Sequence, residues 1–293
     1  MDTFITIHFW GKDSEKAKEI CWKKLEELDQ KLNRFNPQSE IYKINKKAGD
    51  WIEVSKEVED ILREAKYYAQ ISEGLFDPTI GPLMELWGFY DGSLYIPTDK
   101  ELKEALSKVN WKNLEISEGK VRLKRKGMSL DLGGIAKGYA VQRLLEISKD
   151  LNLQRIYLDI GGTIGVYGKP LKGDYWIIGI KHPRKEGRIL GKIKIKGGVV
   201  ATSGDYERFF VNNGKRYPHI INPKTGIPSS EIMSVTIISK NGITADALST
   251  LFFVLGERGK DLWKSKFRDV GVIIVEKDGK IWKSDNIYFE EEK

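Results

Sequence analysis

Apolar and polar positions alternate through Phe4-Ile5-Thr6-Ile7-His8-Phe9-Trp10, the two-residue period of a half-buried strand. Past Asp13-Ser14 the period lengthens. Ala17, Ile20, Cys21, Leu25, Leu28 and Leu32 fall on one stripe of a helix, and on that stripe Cys21 reads as an inert core residue. A second helix is predicted after Ser55 as its N-cap, turning Val58, Ile61, Leu62, Ala65 and Ala69 inward. A third begins at Thr98, where Thr98-x-x-Glu101 forms a capping box ahead of Leu102, Ala105 and Leu106. The 131–149 segment opens glycine-rich and becomes a helix striped by Ala140, Val141, Leu144, Leu145 and Ile147.

The second half is richer in strands, predicted over 153–160, 175–181, 189–196, 198–202, 206–211 and 232–239, with one helix over 244–255. Asn213-Gly214 and Asp278-Gly279 mark hairpin turns. Hairpins are common and strands do not alternate regularly with helices. The pattern therefore predicts an α+β fold with antiparallel or mixed sheets and packed helices, in place of a doubly wound parallel sheet. With no fixed-period repeat and no linker rich in Pro, Gly and Ser, residues 1–293 read as one compact unit with room for two lobes.

Composition narrows the class. The chain has 293 residues, 40% hydrophobic and 31% charged, which excludes disordered and low-complexity scaffolds. One cysteine rules out a disulfide framework and a Cys-based zinc site. No apolar stretch reaches the roughly 18 residues of a membrane helix, and the N-terminus lacks a basic segment followed by an apolar core. As written, the chain is therefore expected to be cytoplasmic. A formal charge of +7 raises nucleic acid as a partner. However, lysines interleave with glutamates along most helices and no nucleic-acid motif accompanies them, so no nucleic acid is expected.

Four polar, glycine-bearing segments are candidates for chemistry. Phe76-Asp77-Pro78-Thr79-Ile80-Gly81-Pro82-Leu83, followed by Leu86-Trp87-Gly88-Phe89, reads as a rigid loop. Asp131-Leu132-Gly133-Gly134-Ile135-Ala136-Lys137-Gly138-Tyr139-Ala140 places glycines before a helix, where backbone N–H groups and the helix N-terminus favour an anion. It is neither a Walker A loop nor a G-x-G-x-x-G fingerprint, and on its own a helix-packing role for the glycines is an equal reading. The third runs from Thr202-Ser203-Gly204-Asp205 to Pro218-His219-Ile220-Ile221-Asn222-Pro223-Lys224-Thr225-Gly226; Ser203 lacks a G-x-S-x-G elbow, so a serine hydrolase has little support. In Thr244-Ala245-Asp246-Ala247-Leu248-Ser249-Thr250, helical spacing lets the oxygens of Asp246, Ser249 and Thr250 share one face. A hard cation takes such ligands; a carboxylate offsetting the helix dipole is the plainer alternative.

In this order the segments resemble the ApbE-type family of FAD:protein FMN transferases. The carrying motifs are Phe35-Asn36-Pro37-x-Ser39-Glu40-Ile41, the Phe76-Asp77-Pro78-Thr79 loop, the glycine-rich 131–140 segment, a Thr202-Ser203-Gly204 turn, His219 with Asn222-Pro223-x-Thr225-Gly226, and Ala245-Asp246-Ala247. The resemblance implies a Mg²⁺-dependent enzyme that moves FMN from FAD onto a threonine or serine hydroxyl of a target protein and releases AMP. The implied targets are flavin-carrying redox-pump subunits of the RnfG or NqrC kind. By the same resemblance Met1, Phe35, Leu75, Phe76, Asp77, Gly133, Lys137, Tyr139, His219 and Ile220 lie around FAD, with Phe35 stacking on the flavin. The resemblance further implies that the Ala136 carbonyl, Asp246 and Thr250 hold Mg²⁺, with Ser249 standing where some members have a second carboxylate. Pro218 stands where many have a histidine. Family members usually enter their first strand from an exported, lipid-anchored leader, whereas here Met1 itself occupies the motif position. His219 fits a general base for the attacking hydroxyl or a hydrogen-bonding group to flavin or phosphate. Two rivals stand beside transfer: hydrolysis of FAD to FMN and AMP, and non-catalytic FAD binding.

Overall fold

The computed structural model describes residues 3–292. Along the chain these form β1 (Ile5–Trp10), α1 (Ser14–Leu32), α2 (Glu40–Lys46), β2 (Ile52–Glu53), α3 (Lys56–Ile71), α4 (Gly81–Leu86), α5 (Asp99–Leu106), β3 (Leu114–Ser117), β4 (Lys120–Leu123) and α6 (Ala136–Asp150). There follow β5 (Arg155–Ile160), β6 (Thr163–Gly168), β7 (Trp176–Lys181), β8 (Ile189–Ile195), β9 (Gly198–Gly204), β10 (Phe209–Asn212), β11 (Lys215–Pro218) and β12 (Ile232–Ser239). The chain closes with α7 (Gly242–Leu255), α8 (Gly259–Lys266), β13 (Gly271–Glu276), β14 (Ile281–Lys283) and β15 (Phe289–Glu291). The fold is α+β, with antiparallel sheets. No helix among the described residues is long and apolar enough to cross a membrane.

Two compact units divide the chain. The first holds Glu26–Ala136 and Arg208–Ser229; the second holds the described residues up to Leu25, Lys137–Glu207, and those from Ser230 onward.

The second unit is built on a seven-stranded sheet in the order β1-β5-β6-β9-β12-β13-β14, antiparallel throughout. Val166, Val200, Ile273 and Val275 on one face meet Ile178, Ile180, Ile193 and Phe289 of a smaller sheet, β15-β8-β7. Helices cover the other face. Gly165 of β6 has no side chain because a Cβ there would lie 2.5 Å from Val141 Cγ1 of α6. The second helix, α7, lies along β9 and β12 and is buried on nearly every side, from Ile243 through Leu255. A helix with apolar residues on nearly every side has little solvated face to offer, and burial is its stable position.

In the first unit, α2 to α5 pack with a small sheet, β2-β4-β3, and with the β10–β11 hairpin. Trp87 is buried with Leu83, Ala105 and Ile221, and its Nε1 donates to the Gly226 carbonyl at 2.8 Å. Phe210 and Tyr217 stack across the hairpin at 5.0 Å and pack on that indole. The hairpin closes on Asn213 and Gly214 with φ of 49° and 73°, the positive pair that an Asn-Gly turn supplies.

Several expectations hold and several need correction. The Thr98 capping box forms as read, with Thr98 Oγ1 accepting from Glu101 N and Glu101 Oε2 accepting from Thr98 N at 2.8 Å. The second helix starts after Ser55, but the Ser55 side chain makes no capping bond; its backbone N–H donates instead to Glu40 Oε2 at 2.6 Å. The presumed rigid loop at 76–89 contains a short helix, α4, because Pro82 sits in its first turn, where a missing N–H costs nothing. Thr202-Ser203-Gly204 is the end of a strand and not a turn: these residues pair with Thr236, Val235 and Ser234 of β12. The strand predicted over 206–211 begins only at Phe209. The strands β2, β3, β4, β6 and β15 are absent from the sequence prediction, since each is short or interrupted by glycine, and the second half holds a further short helix, α8, beyond the one expected, as the first half holds α2.

Candidate active site

Three of the four metal candidates and two of the ligand candidates lie in the second unit. Asp246 sits on the second turn of α7 and is 3% exposed. A carboxylate so buried needs donors. One comes from the main chain of α6, where Gly138 N donates to Asp246 Oδ2 at 2.8 Å. The Lys137 ammonium stands 3.9 Å from Oδ1. This approach requires that both helices be bare where they cross: a Cβ on Gly138 would lie 2.1 Å from the Gly242 carbonyl oxygen, and one on Gly242 would lie 2.4 Å from the Gly138 oxygen. Gln142 adds a further tie, its Oε1 accepting from Gly242 N at 2.9 Å. Tyr139, next on α6, is buried.

Thr250 follows Asp246 by one helical turn and is half-buried. Ser249 is engaged elsewhere. Its hydroxyl donates to the Asp246 carbonyl at 2.8 Å and lies 2.8 Å from Ser203 Oγ on β9. The second unit thus offers a buried carboxylate with lone pairs remaining on Oδ1, one half-buried hydroxyl, and a second hydroxyl already used to tie helix to sheet. Hard oxygen donors of this kind suit Mg²⁺, which keeps several waters and completes its shell on phosphates. The donor chemistry fits. Among the described residues no group of three His, Cys, Asp or Glu could hold a metal, so any such ion would depend on hydroxyl, carbonyl and substrate oxygens beside Asp246.

The first unit carries the other candidates. The Phe35 ring is 60% exposed and meets Tyr90 edge-on with centroids 5.3 Å apart. Phe76 is buried beside Tyr68, and Leu75 is half-buried. Both oxygens of Asp77 are held internally: Oδ1 accepts from Thr79 N at 2.8 Å and Thr79 Oγ1 at 2.7 Å, Oδ2 from Trp111 N at 3.0 Å. Burial nevertheless pushes its carboxyl above the usual range, with these hydrogen bonds pulling the other way. Gly133 is exposed, and its N–H donates to Asp131 Oδ1 at 2.7 Å. Ala136 opens α6, its N–H bonded to the Leu132 carbonyl at 2.8 Å. Met1 lies outside the described residues.

His219 follows β11 directly, with Ile220 buried beside it in the chain. Its Nδ1 lies 3.1 Å from the Arg208 carbonyl oxygen. A carbonyl only accepts, so Nδ1 carries the hydrogen, and in the neutral imidazole the basic lone pair is on Nε2. The Phe89 ring meets the imidazole edge-on at 6.4 Å. This is the tautomer a general base needs.

Sequence reading overlooked Arg34, Tyr90 and the carboxylate of Asp131. Positions 34, 90 and 131 share no spacing, and each was passed over beside a more conspicuous neighbour: Phe35, Phe89 and the Gly133-Gly134 pair. In the fold their side chains meet in one hydrogen-bonded group.

A sequence model of the ApbE family matches residues 1–274. The FAD:protein FMN transferase of Haemophilus influenzae is 32% identical over 287 residues, covering 94% of this chain and 83% of that protein. The protein of the same name from Klebsiella pneumoniae is 31% identical, covering 95% and 87%. Among solved structures, an ApbE protein from Thermotoga maritima superposes with a TM-score of 0.88 at 34% identity, over 97% of this chain and 94% of that one. The flavin transferase ApbE of Vibrio cholerae gives 0.86 at 29% identity, over 97% and 94%. With a match across most of its length and relatives above 30% identity along nearly all of it, this chain belongs to the ApbE family.

Proposed function

We propose that this chain is an enzyme that transfers FMN from FAD to a threonine or serine hydroxyl of a target flavoprotein, releasing AMP. The observation that carries this reading is the match, nearly end to end, to relatives named FAD:protein FMN transferase. The residues supply each requirement of the reaction. Phe35 offers an exposed aromatic face for the flavin ring, and Leu75, Phe76, Asp77 and Ile220 are assigned as further first-unit contacts. The Gly133 backbone and the Lys137 and Tyr139 side chains are assigned to the rest of FAD.

His219 Nε2 removes the proton from the acceptor hydroxyl. The oxygen then attacks the phosphorus on the FMN side, the bond to the bridging oxygen breaks, and AMP leaves with the electron pair. In phosphoryl transfer of this kind the protein contributes positioning and charge compensation. Lys137, a cation 3.9 Å from the Asp246 carboxylate, is suited to phosphate. Asp246 and Thr250, with the Ala136 carbonyl and Ser249 as the remaining candidates, would hold Mg²⁺. When bound, that ion neutralises pyrophosphate charge as a Lewis acid. The target class we propose is the flavin-carrying subunit of a redox pump, of the RnfG or NqrC kind.

The test incubates the protein with FAD, Mg²⁺ and the soluble domain of such a subunit, then weighs the subunit by mass spectrometry. A subunit carrying one FMN supports transfer. Free FMN with an unmodified subunit points to hydrolysis, and unchanged FAD to a carrier. His219→Ala is expected to slow transfer by about 10²–10⁴-fold with little change in FAD affinity. Near-normal turnover would remove His219 from the base role.

A further inference from the structure

Phe35 poses a physical problem. Its ring is 60% exposed, yet a stacking platform must present one orientation before the ligand arrives. The loop from Asn33 to Asn36 fixes the backbone, with Phe35 N donating to Asn33 Oδ1 at 3.0 Å and Asn36 N to Asn33 O at 3.1 Å. The ring itself rests on two groups. Tyr90 meets it edge-on at 5.3 Å, and the Arg34 guanidinium lies 5.6 Å from its centroid.

Those two supports are locked from behind. The Arg34 guanidinium stacks on the Tyr90 ring at 3.8 Å, hydrogen-bonds the Tyr90 hydroxyl, and donates to the Leu130 carbonyl at 3.0 Å. The Tyr90 hydroxyl donates to Asp131 Oδ2 at 2.6 Å, and Arg34 Nη1 stands 3.5 Å from the same oxygen. Asp131 is itself fixed, its other oxygen accepting from Gly133 N at 2.7 Å. Space for the guanidinium comes from Gly81: a Cβ there would lie 2.9 Å from Arg34 Nη1 and 2.7 Å from the Ser129 carbonyl oxygen. Arg34 and Asp131 side chains are only 15% and 14% exposed, so the group forms a mostly buried charged network that supports an exposed ring. Burial and the neighbouring Asp131 charge both raise the Tyr90 phenol's pKa, so its proton stays on the oxygen and remains a donor.

We propose that Arg34 and Tyr90, anchored on Asp131, are positioning residues that hold the Phe35 ring ready to stack on the planar isoalloxazine of FAD. This rests on the reading that Phe35 is the flavin platform. Arg34 and Tyr90 act on the flavin through that ring. Their effect is to order the platform in advance, so that binding does not pay to immobilise it.

The test is a double-mutant cycle on FAD affinity, read by flavin fluorescence without acceptor protein or added divalent cation. Tyr90→Phe removes one hydroxyl and keeps the ring under Arg34 and beside Phe35; Phe35→Ala removes the platform. Tyr90→Phe should weaken FAD about tenfold and diminish the absorbance shift that accompanies stacking, while the unfolding midpoint changes little. In the Phe35→Ala background the same substitution should cost less than about twofold, because the residue it serves is gone. Arg34→Gln should follow the same pattern with a larger single effect. Equal losses in both backgrounds, or no loss from Tyr90→Phe beside a clear loss from Phe35→Ala, would overturn the positioning role alone. Wild-type affinity in Phe35→Ala would overturn the platform reading and this proposal with it.

Discussion

Replacing Gly138 by alanine sets two effects of opposite sign against each other. Gly138 is inside α6, and there alanine is favoured over glycine by about 1 kcal/mol through backbone entropy alone. Against this stands the crossing with α7. The new Cβ would lie 2.1 Å from the Gly242 carbonyl oxygen, 2.8 Å from its carbon and 2.5 Å from Asp246 Cβ. Two of these three are backbone atoms, which cannot rotate aside, so the helices must separate. Overpacking of this kind costs roughly 1–3 kcal/mol. Separation also lengthens the 2.8 Å bond from Gly138 N to the buried Asp246 carboxylate. A hydrogen bond to a charged group is worth about 1.5–3 kcal/mol. Sterics and the lost bond outweigh propensity, giving a net destabilisation of roughly 2–4 kcal/mol. Urea unfolding should show it as a lower midpoint at unchanged slope. Transfer by the folded fraction should also need more Mg²⁺, since Asp246 is displaced with its helix. A variant as stable as the wild type, or more so, would refute the account: helix propensity would have won, and the close crossing would carry no energetic weight.

The remaining predictions are shorter. Asp246→Ala should nearly abolish FMN transfer while FAD still binds, and Thr250→Val should be milder and partly rescued by excess Mg²⁺; an unchanged Mg²⁺ titration in Asp246→Ala would place the metal elsewhere. Cys21, buried with its thiol pushed up to about 11, should resist iodoacetamide at about pH 8 until urea unfolds the chain. Because the folded state retains that proton longer, its contribution to stability is complete below about pH 9 and is lost as pH rises through about 11. A urea midpoint that falls equally over that window in wild type and Cys21→Ala would contradict the assignment.

What was legible in the sequence was local or periodic. The capping box at Thr98 depends on residues three apart, and the α7 pattern on apolar residues recurring from Ile243 to Leu255; both survive in the fold. The Asn213-Gly214 turn needs only two positive φ values, and its own residues supply them. Elements whose reason lies elsewhere in the chain were missed. Thr202-Ser203-Gly204 is small and polar, which reads as a turn, but its backbone is claimed by β12, some thirty positions on, and Thr202 Oγ1 meets Thr236 Oγ1 at 2.9 Å. The Arg34–Tyr90–Asp131 group was invisible for the same reason. No period links its members, and each looks like an ordinary surface polar residue until the fold buries them together.

Ser249 shows how correct spacing can still mislead about role. Helical geometry places its oxygen near those of Asp246 and Thr250, and all three were grouped as ligands. A hydroxyl has one hydrogen. That of Ser249 goes to the Asp246 carbonyl, which can only accept, so in the 2.8 Å pair with Ser203 the donor must be Ser203. Ser249 therefore spends its proton within α7 and one lone pair on β9, and it is 1% exposed. Thr250, half-buried, keeps more of its capacity for a ligand. The two oxygens of the preceding carboxylate are themselves treated differently: Asp246 Oδ2 is held by the α6 backbone, and Oδ1 is left toward Lys137. Neighbouring oxygens on one helix thus divide into an anchor to the sheet and a pair suited to a cation. The division is set by which partner each meets across the packing of α7 on β9 and α6, a fact of tertiary structure that spacing along a single helix does not contain.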